Sequence, residues 1–379
     1  MNILILRSNP IAPDPRVEKI ARVLLDQGWK VELVGWDRTA EMPAAEETAL
    51  GVIHRLPIRA PFGSGLGNLP QLVRWQFGLM RWLLRHRRDF DAIHACDFDT
   101  VLPALILHWL YKKKLIYDIF DFYADHLRRT PAMIKKMIRK VDLWVIGQAN
   151  AVILVDESRR EQIQGSKPRR LTVIYNSPED WIPPEFPQTD KRSSKIGLRL
   201  AYVGLLQRER GLFELLEVLS KHPDWVLELA GFGGDQDEIV EKIKSMNNVY
   251  WHGRVSYETA LRLSAAADVL IATYDPVIAN HRYSSPNKIF EAMMVGRPII
   301  VAENTNIDRI VQRYNNGVVV PYGEFTALDQ ALTRLALNPK MREQMGRNGR
   351  LAYEKEYGWH IMRDRLIQLY QQVMFERQL

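Results

Sequence analysis

A lysine and a glutamate stand three residues apart in the segment YSSPNKIFEAMMVGRP (283–298), at Lys288 and Glu291. The segment predicts a helix on which these two residues share one face. Ser284 or Ser285 can cap this helix, and Pro286 suits its first turn. The positive end of a helix attracts anions, and Lys288 lies within that end. A diphosphate on the helix start and a sugar diol on the carboxylate would account for both charged residues.

Three more junctions between a predicted strand and a predicted helix carry glycine or arginine, in YVGLLQRERG (202–211), AGFGGD (230–235) and HGRVS (252–256). Backbone N–H groups beside a guanidinium suit a phosphate, and glycine lets a ligand approach the backbone closely. Each junction alone is also explained by turn geometry and a solvated arginine. Four in one half of the chain favour a phosphate-bearing ligand, although none matches a Walker A loop or the Gly-x-Gly-x-x-Gly fingerprint.

Polar residues also follow predicted strands in the first half of the chain. His94 and Asp97 lie in DAIHACDFDT (91–100), and Asp121 lies in KLIYDIFDFYAD (114–125). A strand-end histidine held by a backbone bond is the structural alternative for His94. The aspartates could be helix caps, which is the better interpretation of Asp99.

The elements that must position these residues alternate between strand and helix in two series, over 1–180 and 198–355. A proline-rich and charged stretch at 181–197 predicts a linker. The helical tail breaks near Tyr357-Gly358-Trp359, and we expect residues 359–379 to cross back onto the first domain. The predicted fold class is α/β, with two doubly wound, Rossmann-like domains. Because ligands bind beyond the carboxyl ends of parallel strands, the site is expected in a cleft between the domains.

Basic charge is concentrated in the first half of this 379-residue chain of net charge +7. It indicates an anionic partner, which could be nucleic acid, an acidic membrane or a phosphorylated small molecule. In the helix predicted at 69–88, Arg74, Arg81 and Arg85 surround Trp75 and Trp82. This pattern suits a helix lying on anionic lipid, and an ordinary core-facing helix with a solvated basic rim explains it equally well. Nucleic acid is the weaker interpretation, because no motif that reads it is present.

The segment SPNKIFEAMMVGRP (285–298) resembles the Ser-Pro-x-Lys-x-Phe-Glu-x-Met-x-x-Gly-x-Pro motif of the family 4 glycosyltransferases, which have GT-B architecture. VGLLQRERG before it and PDPRVEKIARVL near the start of the chain extend the resemblance over nearly the whole sequence. The resemblance implies retaining, metal-independent sugar transfer from a UDP- or GDP-linked donor, with no cofactor. The implied acceptor is a glycan or lipid-linked saccharide, met in the cytoplasm at the inner face of the plasma membrane.

The resemblance also implies roles for individual residues. Glu291 would hold the ribose hydroxyls, Arg210 and Lys288 would neutralise the leaving diphosphate, and the nucleobase would sit near 231–234 and 253–255. The donor-site residues are Gly204, Arg208, Arg210, Gly231, Phe232, Gly233, Gly253, Arg254, Ser284, Ser285, Pro286, Asn287, Lys288 and Glu291. The catalytic candidates are Arg210, Lys288, Asp121 and His94, and the acceptor-side candidates are Arg16, Asp97 and Phe120.

Two departures from the family pattern fall in the donor site. Tyr283 stands where many members have the first of two glutamates. Leu205 stands where many have an arginine after the first-strand glycine, and Arg208 could substitute for it.

A third departure concerns the transferred sugar. Phe120 stands where the usual Tyr-Asp-x-His-Glu segment has a histidine beside that sugar. A phenyl ring cannot hydrogen-bond a hydroxyl or exchange a proton. Either activity is lost, or the specificity is changed and Asp121 or His94 makes the polar contact. We favour changed specificity, because so many donor-site features are kept, and an apolar ring would suit a deoxy sugar.

The sequence alone leaves two other function classes open. A sugar-nucleotide epimerase of the same fold would need no acceptor, and a catalytically silent scaffold would bind a nucleotide or a membrane without turnover. The single cysteine, Cys96, excludes a disulfide framework and favours a reducing compartment. Histidine and cysteine show no zinc spacing.

Overall fold

The computed structural model describes residues 1–61, 68–127, 130–181, 197–283 and 285–375. The chain divides into two compact units. Unit 1 comprises Met1–Tyr175 and Met362–Leu379, and unit 2 comprises Asn176–Ile361. The predicted linker 181–197 lies outside the described residues except at its two ends.

The first unit is built on an eight-stranded sheet in the order β3-β4-β2-β1-β5-β6-β7-β8. Its strands are β1 Asn2–Arg7, β2 Lys30–Asp37, β3 Ala45–Thr48, β4 Gly51–Pro57, β5 Ala92–Cys96, β6 Lys114–Ile119, β7 Ala151–Leu154 and β8 Leu171–Val173. Its helices are α1 Pro15–Asp26, α2 Leu69–Arg85, α3 Phe98–Tyr111, α4 Tyr123–His126, α5 Ala132–Gln148 and α6 Arg159–Gln162.

The second unit is built on a six-stranded, all-parallel sheet in the order β11-β10-β9-β12-β13-β14. Its strands are β9 Leu198–Leu205, β10 Trp225–Phe232, β11 Val249–Trp251, β12 Val269–Ala272, β13 Ile299–Ala302 and β14 Gly317–Val320. Its helices are α7 Leu212–Lys221, α8 Gln236–Ile243, α9 Tyr257–Ala266, α10 Ala279–Arg282, α11 Asn287–Met294, α12 Ile307–Tyr314, α13 Phe325–Leu337 and α14 Pro339–Ala352, with a 3-10 turn at Arg208–Arg210.

The central strands of both sheets are continuous runs of apolar residues. All four residues of Ile3–Leu6 in β1 are buried, as are all of Val269–Ala272 in β12 and Ile299–Ala302 in β13. Parallel strands covered by helices on both faces need apolar residues at successive positions rather than at alternate ones. The strand order of unit 2 is that of the doubly wound nucleotide-binding fold, whose ligands bind beyond the carboxyl ends of the strands.

The predicted α/β fold class is confirmed, and two local features differ from expectation. β3 pairs antiparallel with β4 at the edge of the first sheet, and its sequence AEET is exposed, so no apolar pattern marked it. The tail breaks at Gly358 as predicted, after a π-helical turn at Tyr353–Tyr357. The helix α15 (Trp359–Phe375) then joins unit 1 from Met362 onward.

Candidate active site

Most of the predicted donor residues lie at the carboxyl ends of the strands of unit 2. Gly204 is the penultimate residue of β9, and Gly231 and Phe232 end β10. Gly253 follows β11, and Lys288 lies in the first turn of α11. The parallel sheet therefore brings together the four junctions that are distant in sequence.

Two cations meet on aromatic rings at this edge. Lys288 Nζ lies 3.6 Å from the centroid of the Tyr202 ring, and the Arg210 guanidinium lies 4.5 Å from that of Tyr274. Burial, and then the neighbouring Arg210, lower the pKa of Lys288 well below its ordinary value, while Glu291 opposes the shift. Burial raises the pKa of Tyr274 to about 12, so its ring stays neutral beneath the guanidinium. Glu291 is thus the carboxylate whose charge acts on Lys288, and its effect on that pKa is smaller than the effect of Arg210.

The start of α11 has polar groups without partners. Pro286 is the N-cap and no side chain within the described ranges caps the helix, which corrects the expectation that Ser285 caps it and Pro286 opens its first turn. Ser285 Oγ and Arg210 Nε are both buried without a hydrogen-bond partner in the described part of the chain. The first N–H groups of a helix also lack partners within the helix. Ser284, also predicted here, lies outside the described residues.

The glycines at this edge allow close packing of backbone and cation. Gly204 has φ +153°, and a Cβ built on it would lie 2.8 Å from Lys288 Nζ. A Cβ on Gly231 would lie 1.7 Å from the Gly204 carbonyl oxygen. Only glycine fits at both positions, because any larger residue would displace the neighbouring strand end or Lys288.

The Glu291 carboxylate is held by Tyr257, a residue that the sequence did not suggest. The Tyr257 hydroxyl donates a hydrogen bond to the Glu291 carboxylate, and burial and that carboxylate raise the pKa of Tyr257. Glu291 is thereby fixed one turn after Lys288 on α11, as their three-residue spacing predicts.

An exposed aromatic platform lies at the end of β10. The Phe232 side chain is 46% exposed, and the Arg254 guanidinium lies 4.7 Å from its ring centroid. Gly233 and Gly253 adjoin these residues in sequence and add no side chain. A flat ring beside a guanidinium is suited to a planar base, since both offer a face for stacking.

Arg208 does not join the cation pair in this structure. Its guanidinium donates to both oxygens of Glu238 on α8, at 2.5 and 2.7 Å, and the pair is exposed. The expectation that Arg208 replaces the arginine missing at Leu205 therefore finds no contact to support it. An exposed pair of this kind contributes little to stability.

In unit 1, His94 and Arg16 belong to a buried network instead of a substrate surface. Arg16 forms a bidentate salt bridge with Asp118, at 3.1 and 2.9 Å. His94 is fully buried, with Nδ1 2.8 Å from the Tyr370 hydroxyl and Nε2 3.3 Å from Asp118. Burial alone would raise the pKa of Asp118, but Arg16 and His94 outweigh it and hold that pKa below its ordinary value. His94 connects β5 to β6 and α15, and Arg16 connects α1 to β6 and to the Ile174 carbonyl. The predicted catalytic role of His94 and acceptor-side role of Arg16 find no support in these contacts.

A second charged cluster lies at the carboxyl ends of β1, β5 and β6. Asp97 pairs with Arg7 and accepts hydrogen bonds from the backbone N–H groups of Phe120 and Asp121, at 2.8 and 3.2 Å. Its φ of +65° is strained for a residue other than glycine, and such strain is often found at functional sites. Burial raises the pKa of Asp97 to about 6, although Arg7 opposes the shift.

Phe120 and Asp121 differ in what they offer a ligand. The guanidinium groups of Arg7 and Arg16 lie 4.1 and 5.0 Å from the Phe120 ring centroid, so the ring serves as a platform for cations. Asp121 is half-exposed, and its Oδ1 accepts a hydrogen bond from Arg159 at 2.9 Å. Of the two residues proposed to replace the missing histidine, Asp121 alone is accessible.

Comparison with known protein families identifies the chain. Residues 188–352 match the model of the glycosyl transferases group 1, and residues 12–177 match that of the glycosyl transferase 4-like domain. The chain belongs to the group 1 glycosyltransferases.

This glycosyltransferase resembles several curated proteins at low identity. It is 27% identical to the D-rhamnosyltransferase WbpZ of Pseudomonas aeruginosa over 63% of each chain. It is 22% identical to the alpha-D-kanosaminyltransferase of Streptomyces kanamyceticus, over 84% of this chain and 88% of that one.

Solved structures show the same fold. Sucrose-phosphate synthase from Thermosynechococcus elongatus superposes with a TM-score of 0.80 at 17% identity, covering 98% of this chain and 99% of that one. Anabaena HepE in complex with UDP and glucose superposes with a TM-score of 0.69 at 17% identity, covering 97% and 98%. The GT-B architecture of this glycosyltransferase is thus established.

Several residues of the candidate site escaped the sequence reasoning. Tyr202, Tyr274 and Tyr257 support the two cations and Glu291, and Arg7 holds Asp97. In the sequence, the first two tyrosines read as strand residues and Arg7 as a strand end. Their position at the same sheet edge as the junction glycines was the signal available.

The membrane residues predicted on α2 divide between core and surface. Trp75 is fully buried and stacks on Trp36 at 5.2 Å, so the prediction that it faces lipid is wrong. Trp82 is half-buried and stacks on His86 at 4.1 Å. Arg74, Arg81 and Arg85 are exposed as predicted. None of the helices within the described ranges is long and apolar enough to cross a membrane.

Proposed function

We propose that this glycosyltransferase transfers a sugar, with retention and without a metal, from a UDP- or GDP-linked donor to a glycan or lipid-linked saccharide. The observation that carries the donor site is the cation pair of Lys288 and Arg210, which Glu291 offsets only in part, beside the start of α11. Like charges in a partly buried site repel, and a diphosphate would neutralise both and satisfy the free donors. Structures of similar fold hold UDP or UDP-sugars, which supports a nucleotide-diphosphate donor.

In the proposed reaction, an acceptor hydroxyl attacks the anomeric carbon from the side that the diphosphate leaves. The bond between that carbon and the phosphate oxygen breaks, the new glycosidic bond forms, and the acceptor proton passes to the leaving diphosphate. Lys288, Arg210 and the start of α11 stabilise the charge that grows on the diphosphate. Glu291, oriented by Tyr257, binds the ribose, and Phe232 with Arg254 provides the base platform.

The sugar that we propose is a deoxyhexose. Phe120 replaces a polar residue with a ring, and an apolar edge on the sugar would avoid an unpaired hydroxyl, which costs about 1–3 kcal/mol when buried. The D-rhamnosyltransferase relative acts, by its name, on a sugar of that class. Asp121, accessible beside Phe120, supplies a polar contact for a neighbouring hydroxyl. We further propose that the acceptor is met at the cytoplasmic face of the plasma membrane, which the exposed arginines of α2 support.

The test of the donor site combines a ligand panel with one substitution. Calorimetry with UDP-, GDP-, ADP- and dTDP-sugars should find one base that binds clearly better than the others. Glu291→Ala should weaken that binding about 10- to 150-fold, since a hydrogen bond to a charged group contributes about 1.5–3 kcal/mol. Glu217→Ala, an exposed carboxylate on α7, is the matched control and should leave affinity unchanged. Equal affinity of the Glu291 variant and the parent would contradict the donor site.

Incubating the bound donor separates transfer from its alternatives. Release of the nucleoside diphosphate that depends on added saccharide acceptor supports transfer. Conversion of the donor sugar without acceptor would show an epimerase, and binding without any turnover would show a silent scaffold.

A further inference from the structure

A cavity of about 540 Å³ lies in unit 2, at the edge of the sheet opposite the candidate active site. Asp268 and Pro298, which line it, stand immediately before β12 and β13. Residues 294–296 at the carboxyl end of α11 also line it, whereas Lys288 lies at the amino end of that helix. An eight-residue helix is about 12 Å long, so the cavity and the donor site are separate places. The volume falls within the range of about 300–1,000 Å³ that is usual for small-molecule sites.

Arginine dominates the charge around this cavity. The described residues that line it include four arginines and two acids, namely Arg297, Arg342, Arg347, Arg350, Asp268 and Glu343. Asp268 Oδ1 lies 3.6 Å from Arg342 Nη2, which is too long for a hydrogen bond. Burial lowers the pKa of Arg297, Asp268 opposes the shift, and the charge of Arg342 adds to it. Two cations therefore repel one another beside the cavity, and Asp268 brings one negative charge against their two.

The other two arginines are paired with acids in different ways. Arg350 donates to both oxygens of Asp180, each at 2.7 Å. This bidentate pair holds Asp180, and with it the neighbouring Trp181, against α14. Arg347 is exposed and pairs with Glu343 one turn away on the same helix, at 2.6 Å. An exposed pair of this kind costs little to break, so Arg347 is available to a bound anion.

The cavity also has an apolar wall. Met294 and Pro298 are buried there, and half-buried Trp181 lines the cavity beside them. Gly346 lets α14 approach the end of α11, because a Cβ at that position would lie 2.1 Å from the Gly296 carbonyl oxygen. An indole ring offers a face on which another ring can pack, and guanidinium groups suit a phosphate.

We propose that this cavity binds a phosphorylated ring compound of the size of a hexose phosphate or a nucleoside monophosphate. The phosphate contacts Arg297, Arg342 and Arg347, since a guanidinium binds phosphate through two parallel hydrogen bonds. The ring packs on Trp181. The site goes beyond the proposed function, and it does not depend on the identity of the donor.

Capping of helix ends explains only part of this arginine cluster. Arg350 Nη1 donates to a carbonyl at the end of α11 at 2.8 Å, and Arg342 Nη1 donates to two carbonyls at the end of α13 at 2.5 and 3.1 Å. Arg297 Nε donates to the Ala265 carbonyl of α9 at 3.0 Å. Capping does not require Arg297 and Arg342 to stand together beside a cavity, because like charges repel. A bound phosphate would neutralise that repulsion.

The test is titration calorimetry of the whole protein with inorganic phosphate, glucose 6-phosphate and AMP, and with glucose and adenosine as uncharged controls. At least one ring phosphate should bind about tenfold or more tightly than inorganic phosphate, because the ring adds its contact with Trp181. Glucose and adenosine should not bind. A preference between glucose 6-phosphate and AMP would show whether the ring is a sugar or a base.

Substitutions in the cavity should weaken this binding. Trp181→Ala should reduce the affinity of the ring phosphate to that of inorganic phosphate. Arg342→Gln should weaken all three phosphates about 10- to 150-fold, since a hydrogen bond to a charged group contributes that much. Arg347→Gln, on the exposed side of α14, should weaken them about tenfold and keeps the test open if Arg342→Gln does not fold. Arg334→Gln, an exposed arginine on α13 outside the cavity, is the matched control and should bind as the parent does.

The Lys288→Met variant separates this site from the donor site, which also attracts phosphates. Binding of the ring phosphate should survive in Lys288→Met. Absence of phosphate binding at millimolar concentration, or binding that Lys288→Met abolishes and the cavity variants leave unchanged, would overturn the proposal. Equal affinity for inorganic phosphate and both ring phosphates would overturn the packing of a ring on Trp181. None of these results bears on the donor site, because donor binding is measured with nucleotide sugars and with Glu291→Ala.

Discussion

Replacing Lys288 with methionine should make the protein more stable and its donor binding weaker. Lys288 Nζ and the Arg210 guanidinium lie 5.6 and 4.5 Å from the centroid of the Tyr274 ring, so they are at most about 10 Å apart. At that distance and an effective dielectric constant of about 20, their repulsion is at least roughly 1.7 kcal/mol. Methionine keeps the length of the side chain and removes the charge. The lost cation–π contact with Tyr202, about 0.5–2 kcal/mol, is offset by a sulfur–aromatic contact of about 0.3–1.5 kcal/mol.

The substitution also removes the burial cost of Lys288 and its attraction to Glu291, which act in opposite directions, so the net expectation is a gain of about 1 kcal/mol in the free energy of unfolding of unit 2. For a unit of this size, such a gain corresponds to roughly 2–4 °C in Tm. Donor affinity should fall by about 2–5 kcal/mol, the usual effect of removing one partner from a desolvated charge pair. Differential scanning calorimetry without ligand and titration calorimetry with the donor measure the two effects.

The matched control for this substitution is Lys221→Met. Lys221 also lies on an aromatic ring, 3.8 Å from the centroid of Phe325, but it is exposed on α7, away from the carboxyl edge of the sheet. Its substitution should change neither donor affinity nor Tm appreciably. A Lys288→Met variant that melts below the parent, or binds the donor equally well, would refute the reasoning that the cation pair is held ready for an anion.

Two further predictions concern pH. The pKa of Lys288 is lowered in the folded protein, so donor affinity should fall as pH rises through that folded pKa, and stability without donor should rise between it and the ordinary lysine value. Titration calorimetry across pH measures the first trend and scanning calorimetry across pH the second. Both should appear in the parent and neither in Lys288→Met. The pKa of Asp97 is raised to about 6, above its value in the unfolded chain, so the native state holds this proton more tightly and stability should fall as pH rises from about 4 to about 6. Urea unfolding at several pH values should show that fall in the parent, and an Asp97→Asn variant with an unchanged profile would contradict the assignment.

The sequence predicted the fold well because apolar runs, glycines and helix stops all point to the same architecture. β1 and β12 are continuous apolar runs between helices, which is the mark of a parallel sheet. The edge strand β3 was missed, because an exposed strand of alanine, glutamate and threonine has no pattern to detect. The tail break at Gly358 was visible, whereas the π-helical turn before it was not.

Some residues of the candidate site were predicted from the sequence and others were not, because the sequence does not show which polar side chains are buried. Lys288, Arg210 and Glu291 were found from their spacing and from the family motif, since these residues stand next to glycines and a helix start. His94 lies within β5 and Arg16 in the first turn of α1, and a sequence does not tell which polar residue near a strand end finds a partner inside. Asp118 lies within β6, 24 residues from His94, and only the pairing of β5 with β6 shows that they meet. Trp75 was misplaced for the same reason, because the stripe on a helix does not tell which side the core will cover.

Two of the charge clusters of this protein differ in whether their charges are paired within the folded chain. In the first, the Arg16 guanidinium donates to both oxygens of Asp118, and both nitrogens of His94 have partners. Such a cluster is complete in the folded chain, and breaking it would leave a buried charge without a partner. In the second, Lys288 and Arg210 repel one another, Glu291 offsets only part of that repulsion, and Arg210 Nε is buried without a hydrogen-bond partner among the described residues. Folding alone gives no reason for that arrangement, since apolar residues of similar size would be more stable there. A bound anion would neutralise the repulsion between Lys288 and Arg210. The donor-binding function is therefore inferred from this second cluster. The first cluster, whose charges are paired, instead explains how α15 is connected to unit 1.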